Sequence, residues 1–173
     1  MKKLIFISLL FSILSLSVSA QKPTKAEKAA QLEQEFQQTR QLIESNHFQF
    51  ELNRVYPQDG QDLSRFNPRG KFVITDSVAK GTLPFFGRAY SLPYGGGIEF
   101  DGVMKDQSLK IEHKKKRKIL IYRFSITAKN DTYQISMEIS GGGNCSVNLN
   151  SNNRAQISYS GTVSPVKDET GKS

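Results

Sequence analysis

The sequence predicts a mainly β fold, an antiparallel β-sandwich or small β-barrel with one N-terminal amphipathic α-helix. Three observations carry that prediction. Apolar residues alternate with polar ones at period 2 through most of the chain after His47, most cleanly in Tyr133, Ile135, Met137 and Ile139 and again in Cys145, Val147 and Leu149. The segments so patterned are short and are joined by turn-forming residues, such as Asn130-Asp131 and Gly141 to Asn144, which suit reversals between antiparallel neighbours. Helical spacing is confined to one stretch near the N-terminus.

Taken in order, Met1 to Ala20 has Lys2 and Lys3, then an apolar run from Leu4 to Leu16, then the small residues Ser19 and Ala20. This is the plan of a Sec-type signal peptide cut before Gln21. The run is shorter than the ~20 apolar residues a membrane-spanning helix needs. The domain plan that follows is a signal peptide over 1–20, one β-rich domain over 21–164 and a polar, disordered tail over 165–173. No cysteine stands near the cut, so the expected product is soluble, periplasmic or secreted, not lipid-anchored, and monomeric. Cys145 is the only cysteine of the 173 residues, so stability has to come from packing and not from an internal disulfide. Lys and Arg number 24 against 16 Asp and Glu, and the signal peptide removes only two of the cations, so the exported chain stays basic. Such a surplus favours an anionic envelope or extracellular partner, while export argues against nucleic acid.

Thr24-Lys25-Ala26-Glu27 has the spacing of a capping box, in which the Thr24 hydroxyl accepts from the Glu27 N–H and the Glu27 carboxylate reaches back. Leu32, Phe36 and Ile43 then recur at helical spacing, predicting a helix over Lys25 to Ser45, stopped at Asn46 and lying against the outside of a sheet. Strands are predicted from His47 to Tyr56, Lys71 to Val78, Gly97 to Met104, Ser108 to Lys114, Lys118 to Lys129, Thr132 to Ser140, Cys145 to Asn150 and Arg154 to Val163. Ile119 to Phe124 is apolar on both faces, as expected of a central or helix-covered strand.

Between the early and late strands lies Gly81 to Gly102, dense in aromatic rings, proline and glycine. Leu83-Pro84 and Leu92-Pro93 each force an extended residue before the ring, and Gly95-Gly96-Gly97 permits a bulge or corner. Phe85, Phe86 and Phe100 are read mainly as packing. Arg88, Tyr90 and Tyr94 each join an apolar body to a polar end, which makes them the candidate ligand- or partner-binding residues. Arg88 is further expected to stack on Phe86 or Tyr90.

The basic run Lys114, Lys115, Lys116, Arg117 and Lys118 is the densest charge cluster and is read as a hairpin tip, where water screens like charges and lysine discourages edge pairing; the functional alternative is a seat for an anionic partner. His47 and His113 have no partner at a metal-ligand spacing, and Cys145 alternates in phase with Val147 and Leu149 as a buried thiol would. No catalytic residue, metal site or cofactor is predicted. The expected function is non-enzymatic binding of an envelope or extracellular partner. Carriage of a small apolar ligand inside a barrel is the alternative, with a hydrolase behind it.

The segment Leu83 to Ser91, Pro93-Tyr94, Gly95 to Ile98 and Phe100, with the strand Tyr133 to Ile139 and the late Ile157 to Gly161, resembles the signature of an uncharacterised family of exported Bacteroidota proteins, the domain of unknown function numbered 4251. That resemblance implies export and a β-rich domain. It brings no activity, ligand or catalytic residue. Many members of that family are lipid-anchored, and the missing cysteine sets this chain apart from them.

Overall fold

The computed structural model describes residues 24–58, 63, 66, 68–90, 97–114, 117–129 and 131–167. The chain divides into two compact units between Gln31 and Leu32. The described part of the first is the cap and opening turns of α1 (Lys25–Glu44). There the Glu27 N–H donates to Thr24 Oγ1 at 3.2 Å and the Thr24 N–H to Glu27 Oε2 at 2.7 Å, the reciprocal capping expected from the spacing.

In the second unit the rest of α1 is followed by β1 (His47–Pro57), β2 (Lys71–Thr75), β3 (Val78–Leu83), β4 (Ile98–Lys114), β5 (Arg117–Thr127), β6 (Thr132–Ser140), β7 (Asn144–Ser151) and β8 (Ile157–Pro165). Each strand pairs antiparallel with the next, and β1 pairs with β8, so the sheet closes into a barrel. Of the two predicted architectures, the barrel is the one formed. The seam runs from Phe48 opposite Pro165 to Pro57 opposite Ile157, with a bulge between Leu52 and Arg54. At the seam Gly161 faces inward, and a Cβ there would stand 2.0 Å from the Glu51 carbonyl oxygen and 2.8 Å from the Phe50 ring, so only glycine lets β1 and β8 approach.

The alternation read in the sequence is the inside–outside alternation of the barrel. Phe48, Phe50, Phe72, Leu120, Ile126, Met137, Val147 and Tyr159 are among the fully buried inward residues. Phe50 stacks on Phe72 with ring centres 5.1 Å apart, and Phe72 meets Phe100 at 5.8 Å. Pairs of this kind add about 0.5–1.5 kcal/mol each to the area they bury. On β5, Ile119 and Ile121 are buried on the opposite face as well, as the doubly apolar run predicts.

Four expectations are corrected. The strand predicted over Lys71 to Val78 is two strands, because Asp76 takes φ of 55° and reverses the chain with Ser77. The strands predicted over Gly97 to Met104 and Ser108 to Lys114 are one, β4, interrupted by a bulge where Asp106 has φ of 53° and accepts from Ser125 Oγ. The Leu32–Glu44 part of α1 lies over one end of the barrel and not along its outside. Its Phe36, Thr39 and Ile43 are buried, and Phe36 and Ile43 join the same apolar cluster as the inward strand residues. Phe36 sits against Gly141 in the β6–β7 turn, whose Gly142 and Gly143 hold φ near 80°. Leu32, read as part of the apolar stripe, is 62% exposed. Asn46 stops the helix as expected, in the left-handed region with φ of 49°. The Asn46 carbonyl accepts from Asp76 N, and its side chain oxygen from Tyr122 Oη at 3.1 Å.

The predicted signal peptide lies outside the described residues. Of the tail predicted over 165–173, the first residues are placed, since β8 runs to Pro165 and Lys167 is held on β1, its Nζ 2.9 Å from Glu51 Oε1, and residues 168–173 lie outside the described residues.

Candidate functional site

The end of the barrel away from α1 is built by the β1–β2, β3–β4, β5–β6 and β7–β8 connections. It is organised by charge where the helix end is organised by apolar contact. In the β5–β6 turn the Asp131 carbonyl accepts from Ala128 N at 2.8 Å, and the Asp131 side chain turns inward and is buried. One of its carboxylate oxygens accepts from Thr132 N at 2.8 Å and Asn153 Nδ2 at 3.1 Å, the other from Ser151 Oγ at 2.5 Å. Arg154, also buried, brings Nε to 4.0 Å from Asp131 Oδ2 and lays its guanidinium 5.0 Å from the centre of the Phe85 ring. A buried ion pair is tolerated only when hydrogen bonds compensate the lost hydration, and those from Thr132, Ser151 and Asn153 do so for the carboxylate.

This cluster fastens the aromatic segment. Ala89 forms a β-bridge with Arg154. Ala155 N donates to the Arg88 carbonyl at 2.9 Å, and Tyr90 N to the Asn153 carbonyl at 2.8 Å. Further back, Tyr159 Oη donates to the Pro84 carbonyl at 2.9 Å. Burial holds the Tyr159 phenol above its usual range, and Tyr133 is raised by burial and then by the Asp131 charge. Both phenols therefore stay neutral, and that of Tyr159 remains a donor to the fastened segment.

Of the residues singled out in the sequence, Arg88 and Tyr90 stand on this strap and point outward. Tyr90 is 60% exposed, and Phe86 beside them 40%. Tyr94 lies outside the described residues. Phe100 is core and Phe85 packs partly against it, as expected; among the described residues of this segment a guanidinium–ring contact is made by Arg154 on Phe85. Sequence reasoning missed Asp131 and Arg154, read as a turn residue and the start of a strand. An arginine beside Ala155 and the alternating Ile157 to Val163 was the available signal.

The basic run is at the other end. Lys114 Nζ is 2.6 Å from Glu138 Oε2, and Lys118 Nζ is 2.8 Å from Glu33 Oε1 and 5.6 Å from the centre of the Phe36 ring. The Lys118 bond, helped by one from Gln37, keeps the Glu33 carboxyl below the usual carboxylate range. Lys114 and Arg117 face each other across the hairpin, as a tip requires, and Lys115 and Lys116 lie outside the described residues. Two of the cations thus serve local ion pairs. His47 and His113 are exposed, and among the described residues no three His, Cys, Asp or Glu gather as metal ligands. Cys145 is buried, in phase with the core as expected, and burial pushes its thiol up, which favours the protonated form.

Two of the surface depressions among the described residues lie on the barrel wall. One, of about 1060 Å³, crosses β1 to β4 between charged residues that include Lys71, Glu99 and the exposed pair Lys80–Asp101 at 2.7 Å. The other, of about 430 Å³, runs over β6 to β8 beside Arg54. Among the described residues no helix is long and apolar enough to cross a membrane.

Comparison with curated proteins gives no match. Among solved structures, the chain is similar to a DUF4251 family protein from Bacteroides eggerthii DSM 20697, with 23% identity and a TM-score of 0.56 over 79% of this chain and 91% of that one. The likeness concerns the fold. The model of a family described as a domain of unknown function, DUF4251, matches residues 30–163, and with the barrel and the Leu83 to Phe100 segment in place the chain belongs to that family.

Proposed function

We propose that the chain is a non-enzymatic binding domain that acts outside the cytoplasm, periplasmic or secreted, and takes an envelope or extracellular partner on the strap Pro84 to Tyr90. The observation that supports this most is the contrast within the strap. Its backbone is tied at Pro84, Arg88, Ala89 and Tyr90, while the side chains of Phe86, Arg88 and Tyr90 are left outside. A surface so fixed gives aromatic and guanidinium groups to a partner without an ordering cost at the moment of binding. Tyr and Arg are also the residues that most often dominate interfaces.

Substituting Arg88, Tyr90 and Tyr94 together by alanine should abolish capture of envelope material by the immobilised protein while its circular dichroism stays unchanged. Undiminished capture by a folded triple variant would refute the reading. The alternative, carriage of a small apolar ligand inside, has the closed barrel in its favour. It requires that the packed side chains of Phe48, Phe50, Met137 and Tyr159 make room, and native mass spectrometry of the purified protein would then show added mass.

A further inference from the structure

The barrel wall of β6, β7 and β8 has an unusual outward surface. Every outward position on these strands is Ser, Thr, Asn or Gln except Glu138. With 23% of the chain charged, a wall drawn at ordinary frequency would carry several charges. Register lines the residues up in rows across the strands. Tyr56, Ser158, Asn148 and Ser136 are successive neighbours in one row, and Arg54, Ser160, Ser146 and Glu138 in the next. Neighbours in a row are about 4.8 Å apart, as strands are. Ser158 Oγ donates to Asn148 Oδ1 at 2.7 Å, which fixes the Asn148 amide. The depression of about 430 Å³ follows the second row, with Arg54, Lys114, Ser146 and Glu138 in its lining.

We propose that this wall binds an uncharged polysaccharide, its hydroxyls meeting the Ser and Asn side chains and one sugar face resting on the Tyr56 ring. Short hydroxyl and amide side chains lose little rotamer entropy when held, so a ligand that meets several of them keeps most of the hydrogen-bond energy. The outward positions of β6, β7 and β8 offer an anionic ligand no cation, and of the two cations that line the depression, Arg54 and Lys114, the second is held by Glu138 at 2.6 Å, whereas nucleic acid and anionic lipid are held through several Lys and Arg. A second copy of the chain is also a poor fit, because dimer interfaces have apolar centres. Exposed Val78, Val103 and Ile111 are on β3 and β4 instead.

The test is affinity gel electrophoresis of the purified protein through gels containing soluble β-glucan, xyloglucan or galactomannan, with polygalacturonate as the anionic probe. At least one neutral polymer should retard it. Asn148→Asp and Tyr56→Ala should each weaken retardation roughly tenfold, the effect of losing the amide donor or a stacking face. Ser146→Asp, in the second row, gives an outward variant with no buried group disturbed, and it should weaken retardation as well. Lys80→Ala, on the charged wall, should leave it unchanged. Absence of retardation by every neutral polymer, retardation by polygalacturonate alone, or retardation that survives all three wall substitutions in folded protein overturns the proposal.

Discussion

The two ends of the barrel are closed by different chemistry. At one, α1 presses Phe36 and Ile43 into the core and Asn46, just past its end, ties the β2–β3 turn. At the other, a buried carboxylate and guanidinium gather the β5–β6 and β7–β8 connections and fasten the aromatic strap across them. Apolar closure is insensitive to small displacements, since it depends on area removed from water. Polar closure is directional, and fixes each hydrogen-bonded backbone group where its partner is. The end that must only be shut is closed by side chains, and the end that displays residues is closed by geometry.

The largest expected effect is at the helix end. Phe36→Ala should destabilise by about 3–5 kcal/mol, the usual cost of emptying a buried aromatic site, seen as a lower denaturant midpoint with the strap still protected from hydrogen exchange. Arg154→Ala should cost about 3 kcal/mol, because Asp131 stays buried without its counter-ion. Its distinguishing sign is local. The Tyr90 and Ala155 amides should exchange faster than those of β1, and partner capture through Arg88 and Tyr90 should fall even in folded protein. Equal exchange at both ends in this variant would break the contrast.

A smaller effect sharpens it. Burial raises the Tyr122 hydroxyl to about 12, and it lies 3.1 Å from Asn46 Oδ1 and 2.9 Å from Gln107 Oε1. In the unfolded chain a tyrosine ionises near 10. The folded value is the higher one, so the contribution is full below pH 10 and is lost as pH rises through about 12. Tyr122→Phe should cost about 1 kcal/mol at neutral pH, for the lost hydrogen bond, and flatten the fall of the unfolding midpoint between pH 10 and 12.

Much of this architecture was legible before any coordinates. Period-2 alternation marked β6 and β7 to within a residue, the Thr24 and Glu27 spacing marked the helix start, and Cys145 was in phase with the core. Misreadings came where non-glycine residues adopt left-handed backbone. Asp76 and Asp106 are chemically ordinary in a strand-like run, yet one splits a strand and the other only kinks one. Leu32 was misplaced because helical spacing shows which residues share a face and not how far along the helix the barrel reaches. The buried Asp131–Arg154 pair was out of reach for a related reason. Pairing of charges that far apart is decided by the barrel register, and both residues are of types that usually stay in water.

The seam between β1 and β8 has a meaning in time as well as in space. Every other pairing in the ring joins strands adjacent in sequence, so each can form as a local hairpin. Only this one brings residues near position 50 to residues near position 160, and its loop-closure entropy is the largest in the molecule. Folding should therefore proceed as an open meander that completes itself at the seam. Gly161, which leaves just enough room for β1, then sits at the last contact made, and substitutions there should speed unfolding more than they slow folding.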